Sequence, residues 1–203
     1  MSATHLVLVG DSIFDNSAYV LPGHSVTEQL RSRVGAAAQV TLLAVDGHLS
    51  RDVPAQIAHM PQDATHVALS VGGNDAQECL TRLEAPCQNV MQALAILTEM
   101  QRQFEVSYRS AFRSVYQSGI PLMVCTIYDS VPGLTFSLKT ALSLFNDVIT
   151  RTALEIKVPI LDLRCLLQDE GDFSRVSPIE PSAVGSKKIA DGLREWIQKS
   201  YAT

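Results

Sequence analysis

The chain has 203 residues, with 16 Lys and Arg against 21 Asp and Glu, for a net charge of −5. That length sets a single domain, residues 1–203, as the default, and the mild acidity argues against a nucleic-acid partner or an anionic membrane surface, which need a basic face. With 46% apolar and 18% charged residues the composition is that of a globular protein with a real core, and no apolar run approaches the roughly 18 residues that suggest a membrane span.

Short β-branched runs alternate with longer helical segments. His5–Val9 reads as a buried strand, with no basic n-region or apolar h-region of a signal peptide around it, so the expected location is cytoplasmic. Val26–Val34 reads as an amphipathic helix after the Pro22-Gly23 turn, and Gln39–Val45 as a second strand. Arg51–Met60 suggests a helix with Pro54 in its first turn, where a missing N–H costs nothing. Thr65–Val71 is a third strand, and Cys87–Gln117 a long helical stretch with a bend or break expected near Phe104. Pro121–Ile127, Leu138–Ile156, Val158–Leu163 and Ala183–Lys199 continue the pattern as strand, helix, strand and closing helix.

Five continuous apolar strands separated by helices imply a parallel sheet covered on both faces, a three-layer α/β/α domain. Ligands of such sheets bind beyond the C-terminal ends of the strands, where the strand order reverses. The residues to inspect are therefore Gly10-Asp11-Ser12, Asp46-Gly47-His48, Gly72-Gly73-Asn74-Asp75, Tyr128-Asp129 and Arg164.

Cys79, Cys87, Cys125 and Cys165 match no zinc or C-x-x-C spacing. Cys125 reads as a small hydrophobe in a buried strand. Cys79 and Cys87 fall near each other in a loop, where a cytosolic setting favours free thiols. No metal and no cofactor is expected, and a nucleotide-binding reading lacks both G-x-G-x-x-G and a P-loop.

Three of the post-strand patterns carry chemistry. Ser12 closes a buried strand at a turn, where a hydroxyl and its own N–H can both face the crevice, which suits a nucleophile that also helps bind an oxyanion. A strand-ending turn in which Asp11 takes loop N–H groups is the bland alternative. Gly47 follows the second strand and lets backbone approach a ligand closely. Gly72-Gly73-Asn74-Asp75 follows the third, with an Asn amide able to donate to a developing oxyanion.

Together these patterns resemble the SGNH hydrolases, also called the GDSL esterase/lipase family. Gly10-Asp11-Ser12-Ile13 looks like the first block, Gly47 like the second-block glycine, and Gly72-Gly73-Asn74-Asp75 like the third block. The resemblance implies a flavodoxin-like sheet of order 2-1-3-4-5, Ser12 as nucleophile, and an oxyanion hole from the Ser12 N–H, the Gly47 N–H and the Asn74 amide. It also implies a small-molecule ester as substrate. Short acyl esters or O-acetyl groups are the expectation, since no long apolar lid is evident.

The last block departs from the family's Asp-x-x-His pattern. The histidines are His5, His24, His48, His59 and His66, and none follows His66. In Ser177-Pro178-Ile179-Glu180-Pro181-Ser182-Ala183-Val184-Gly185 the Pro181 and Gly185 landmarks put Glu180 at the His position and Ser177 at the Asp position. Three readings follow: Glu180 as base, with its pKa raised by desolvation and Ser177 or a backbone N–H orienting it; His48 as a relocated base; or a site that binds a small acyl or polar ligand without turnover. The bland reading of Glu180 is a residue near the N-terminus of the last helix. Asn146 reads as a structural residue fixing a loop, Asp129 as a crevice or loop residue, Arg51 and Arg164 as surface or ion-paired. Phe136, Leu138, Leu142 and Phe145 read as a core stripe.

Overall fold

The computed structural model describes residues 4–200. β1 (Thr4–Gly10) is buried along its whole length. α1 (Val26–Val34) opens on a capping box, in which Ser25 and Glu28 satisfy each other's backbone N–H groups. β2 (Ala38–Leu42) ends earlier than the apolar run suggests, because the Leu43 and Ala44 N–H groups both turn onto the Leu8 carbonyl. A 3₁₀ turn over Ser50–Asp52 leads into α2 (Val53–Ile57), with Pro54 in its first turn as expected, though the α-helix is only 5 residues long.

β3 (His66–Ser70) is followed by a short helix, α3 (Gly73–Glu78), and a 3₁₀ segment, Leu80–Glu84, neither of which the sequence pattern predicts. α4 (Val90–Tyr116) is capped by Asn89 and runs as one unbroken helix. The break expected near Phe104 is absent. Phe104 instead belongs to a stripe, with Met100, Tyr108, Ala111, Phe112 and Val115, that packs the helix onto the sheet. β4 (Leu122–Cys125), α5 (Phe136–Glu155), β5 (Ile160–Leu161), α6 (Leu163–Leu166) and α7 (Ala183–Ser200) complete the chain.

The strands form one parallel sheet in the order β2-β1-β3-β4-β5. Alternate residues feed two cores. Val7, Val9, Val67, Leu69 and Val124 face α2, α4 and α5. Leu6, Leu8, Ala68, Met123 and Cys125 face α1 and α7. The order reverses between β1 and β3, so the loops after those two strands flank one crevice.

Gly10 closes β1 with φ of +131°, and a Cβ there would lie 1.8 Å from the Ser70 carbonyl oxygen of the neighbouring strand. Both backbone groups of Gly10 are taken by one side chain: its N–H donates to Gln56 Oε1 at 2.8 Å and its carbonyl accepts from Gln56 Nε2 at 2.7 Å. The turn into Ser12 is thus set by backbone approach and by a buried amide. Gly10→Ala is expected to cost several kcal/mol, or to prevent folding, because it adds positive-φ strain to a backbone clash. Urea unfolding monitored by circular dichroism checks this.

Candidate active site

Ser12 lies two residues past β1, at the turn that Gly10 and Gln56 hold. Its hydroxyl donates to Glu180 Oε1 at 2.9 Å, across 168 residues of chain. Both side chains are buried, Glu180 to 5% exposure. The second carboxylate oxygen, Oε2, has no partner among the described residues. Burial is the chief cause that raises the Glu180 pKa from 4.5 to about 7. The Ser12 hydrogen bond lowers it, and the Asp46 charge adds to the rise.

The backbone around Glu180 is clamped on every side. The Tyr128 hydroxyl donates to the Ile179 carbonyl. The Glu180 N–H donates to the Ser177 carbonyl at 2.9 Å, and the Glu180 carbonyl accepts from the Ser174 N–H at 2.8 Å. Asn16 Nδ2 donates to the Pro181 carbonyl at 3.2 Å and to Ser186 Oγ at 2.8 Å, while Asn16 Oδ1 accepts from the Val26 N–H. Asn16 therefore ties the Glu180 loop to the starts of α1 and α7. Sequence reading missed it, although its place four residues after Ser12 was the available signal. In the sequence Tyr128 reads only as a post-strand residue.

Ser177 contributes its carbonyl, and no hydrogen bond joins its hydroxyl to the Glu180 carboxylate. What orients the carboxylate is the loop backbone and the Ser12 hydroxyl. His48 is half-buried, and its ring Nδ1 pairs with Gln56 Nε2 at 2.9 Å. Since that amide nitrogen donates, Nδ1 accepts and the ring carries its proton on Nε2. Glu180, not His48, is the hydrogen-bond partner of Ser12. The His48 carbonyl takes one hydrogen of the Asn74 amide at 2.9 Å, which fixes the amide plane and leaves the other hydrogen for the cavity that Asn74 lines. The Ser12 N–H makes no hydrogen bond among the described residues. Gly47 sits in an exposed turn with φ of +80° and is not part of the cavity wall; its N–H is likewise unpaired.

Asp11 is buried beside this pair. Desolvation, with a smaller contribution from Glu180, pushes its pKa up to about 8 against the hydrogen bonds from the Ile13 and Gly72 backbone. Asp75, next to Asn74, accepts from the Ser50 N–H and hydroxyl at 3.0 and 2.5 Å, which pins α3 to the turn before α2.

Behind Ser12 and Glu180 opens a cavity of about 230 Å³. Its apolar wall includes Leu80, Met100, Ile127, Leu138, Leu142 and Phe145. The stripe expected to be core is thus a cavity wall at Leu138, Leu142 and Phe145, while Phe136 is 88% exposed. Asn146 holds the loop after β4, exchanging 2.8 Å hydrogen bonds with both backbone groups of Ile127. Arg51 pairs with Glu78 and Arg164 with Asp162, and neither arginine lines the cavity. All four cysteines are free. Among the described residues no cluster of His, Cys, Asp and Glu suits a metal ion, and no helix is long and apolar enough to cross a membrane.

No protein-family model matches the sequence, and no curated protein matches it. Solved structures do match. An esterase, EstA, from Pseudoalteromonas sp., inhibited by monoethylphosphonate, is 12% identical with a TM-score of 0.69, covering 98% of this chain and 100% of that one. An acetyl xylan esterase, AlAXEase, is 14% identical with a TM-score of 0.72, covering 95% of this chain and 99% of that one. A member of the lipolytic G-D-S-L family from Veillonella parvula is 16% identical with a TM-score of 0.70, covering 95% and 97%. The fold is that of the GDSL-type esterases and lipases, three-layer α/β/α with the strand order 2-1-3-4-5.

A carboxyl whose pKa is higher folded than unfolded stabilises the protein at low pH. That contribution is lost as pH rises from about 4.5 through about 7 for Glu180. Glu180→Gln removes the titration. The variant is expected to match the parent near pH 4.5 and to exceed it at pH 8 by about 1–3 kcal/mol. Urea unfolding at both pH values checks the sign.

Proposed function

We propose that this chain is a serine carboxylic ester hydrolase of the SGNH type, in which Glu180 replaces histidine as the base. The observation that carries the reading is the 2.9 Å hydrogen bond from the Ser12 hydroxyl to a buried carboxylate of raised pKa, at the mouth of a cavity. The esterases that share the fold support the reaction class.

In the proposed reaction Ser12 Oγ attacks the ester carbonyl while Glu180 Oε1 takes the hydroxyl proton. The negative charge that develops on the carbonyl oxygen is met by the Ser12 N–H, the free hydrogen of the Asn74 amide and the Gly47 N–H. Protonated Glu180 then delivers its proton to the departing alkoxide, which leaves an acyl ester on Ser12. In the second half Glu180 takes a proton from water as the water attacks, and Ser12 recovers its proton as the acid departs. An ordinary carboxylate is a poor base for this work. Burial raises the pKa of Glu180 to about 7, where a general base serves best near neutral pH. The substrates are small carboxylic esters, with short acyl chains and O-acetyl groups included.

Hydrolysis of p-nitrophenyl esters tests the assignments. Ser12→Ala is expected to abolish turnover, and Glu180→Gln to lower kcat/KM about 10²–10⁴-fold. For the parent, kcat/KM should rise with pH to a plateau, with a midpoint near 7 set by Glu180. His48→Ala should leave that midpoint in place. A fluorophosphonate should label Ser12. A folded protein that neither labels nor turns over is a binder of acyl ligands, and the hydrolase reading is then wrong.

A further inference from the structure

The cavity behind Ser12 is larger than an acetyl group needs, and its polarity is unevenly distributed. The catalytic hydroxyl, the Glu180 carboxyl and the Asn74 amide share its wall with a run of aliphatic and aromatic side chains from four segments. Ala76 and Leu80 come from α3 and the turn after it, Met100 from α4, Ile127 from the loop after β4, and Leu138 and Phe145 from α5. Exposure falls along this wall, from Leu80 at 44% to Met100 and Phe145 at 1% each. The apolar lining is thus most exposed at Leu80 and at Ile179, beside Glu180, and buried where α4 and α5 meet. The cavity extends the site away from the solvent-facing turns around Asp46 and Gly47.

We infer that this closed apolar arm is an acyl-chain subsite that selects medium-length acyl groups. An apolar cavity of roughly 150 Å³ accommodates the six carbons of benzene, so the whole 230 Å³ cavity, its Ser12 end included, holds about nine carbons, the carbonyl carbon among them. The acyl part, and not the alcohol, is the occupant for a chemical reason. The alcohol must leave past Glu180, and water must then approach the acyl carbon through the same opening. A chain sealed in the closed arm leaves that opening free, whereas an alcohol lodged there blocks its own replacement by water. Each methylene buried against this wall adds binding that a short chain does not collect. The inference rests on the ester hydrolase reading and extends it past the short acyl groups named above. Met100, Ala141 and Phe145 become the residues that set the upper limit of chain length.

Two measurements keep this inference separable from the hydrolase reading. The first is kcat/KM for p-nitrophenyl esters from acetyl to dodecanoyl, below their micelle concentrations. Octanoyl is expected to exceed acetyl at least tenfold and dodecanoyl to fall at least fivefold below octanoyl. Ala141→Phe, which narrows the arm, should move the optimum to butanoyl or shorter. Leu138→Trp, at the half-buried first turn of α5, narrows it from the mouth and serves if Ala141→Phe does not fold. The second is calorimetric titration of the parent with octan-1-ol and butan-1-ol, which needs no turnover. Octan-1-ol should bind at least tenfold tighter. Tight octan-1-ol binding without ester hydrolysis overturns the hydrolase reading and leaves the subsite standing. Hydrolysis with no gain beyond butanoyl and no preference for octan-1-ol overturns the subsite. A third measurement, kcat/KM for methyl octanoate against octyl acetate, tests the side: methyl octanoate is expected to be preferred, and a preference for octyl acetate overturns the assignment of the arm to the acyl side.

Discussion

A carboxyl group taken out of water and aimed at one hydroxyl is the constraint on which the site depends. The Glu180 carboxylate receives a single hydrogen bond, from Ser12, and its second oxygen has none among the described residues. A buried acceptor left without a partner destabilises the fold, by about 1–3 kcal/mol or more. The surrounding structure tolerates that cost because it fixes the loop through its backbone. Tyr128, Ser174, Ser177 and Asn16 bond to the carbonyls and N–H of Ile179, Glu180 and Pro181, so the carboxylate does not need further side-chain partners to hold its direction. The free oxygen and the raised pKa then have the same origin. An environment that solvated Glu180 fully would return its pKa to the ordinary carboxylate range and unsuit it to the base role proposed for it near neutral pH.

The other half of the pair is positioned by the sheet. β1 and β3 are neighbours at the point where the strand order reverses, and Gly10 allows their ends to approach so closely that no side chain fits between. Gln56 closes this turn with both ends of its amide, and the same amide nitrogen holds the His48 ring. The His48 carbonyl in turn orients Asn74. One buried glutamine thus links the turn into Ser12, the second crevice loop and the Asn74 amide in a single chain of hydrogen bonds. A histidine whose ring faces Gln56 in this way acts as a scaffold for the amide.

Much of this was legible in the sequence, and the reasons are specific. β1, β3 and β4 were readable because each is a short run buried along its whole length, β2 and β5 only in outline because they are partly exposed and shorter than their apolar runs, and α1 because Ser25 and Glu28 announce its start. Pro181 and Gly185 fixed the register that pairs Glu180 with Ser12, and a Cβ on Gly185 would lie 2.2 Å from the Asp172 carbonyl oxygen. Direction was not legible. His48 and Glu180 were both candidates because a sequence says which residues follow strands and not where their side chains turn. α3 stayed hidden because its six residues carry no periodicity. The stripe on α5 reads as core because apolar spacing is the same whether a helix face meets another helix or lines a cavity. Phe145 does both: it stacks on Phe104 at 4.8 Å between ring centroids and also lines the cavity.

The two departures in the last block make physical sense as a unit. A histidine base has two ring nitrogens and two tautomers, so it needs a carboxylate to hold the proton on the correct side and to stabilise the imidazolium that forms. A carboxylate base has no tautomer to select and becomes neutral, not cationic, when it takes the proton. A second carboxylate beside it would supply like-charge repulsion, raising a pKa that burial has already carried to about 7. Asp11 and Asp46 already act on Glu180 in that sense, or feel its charge. If Glu180 is the base, as proposed, an acid at position 177 would add to this load without a compensating role. Ser177, which gives only a carbonyl to the turn, meets what a carboxylate base requires: a fixed backbone, and no further negative charge.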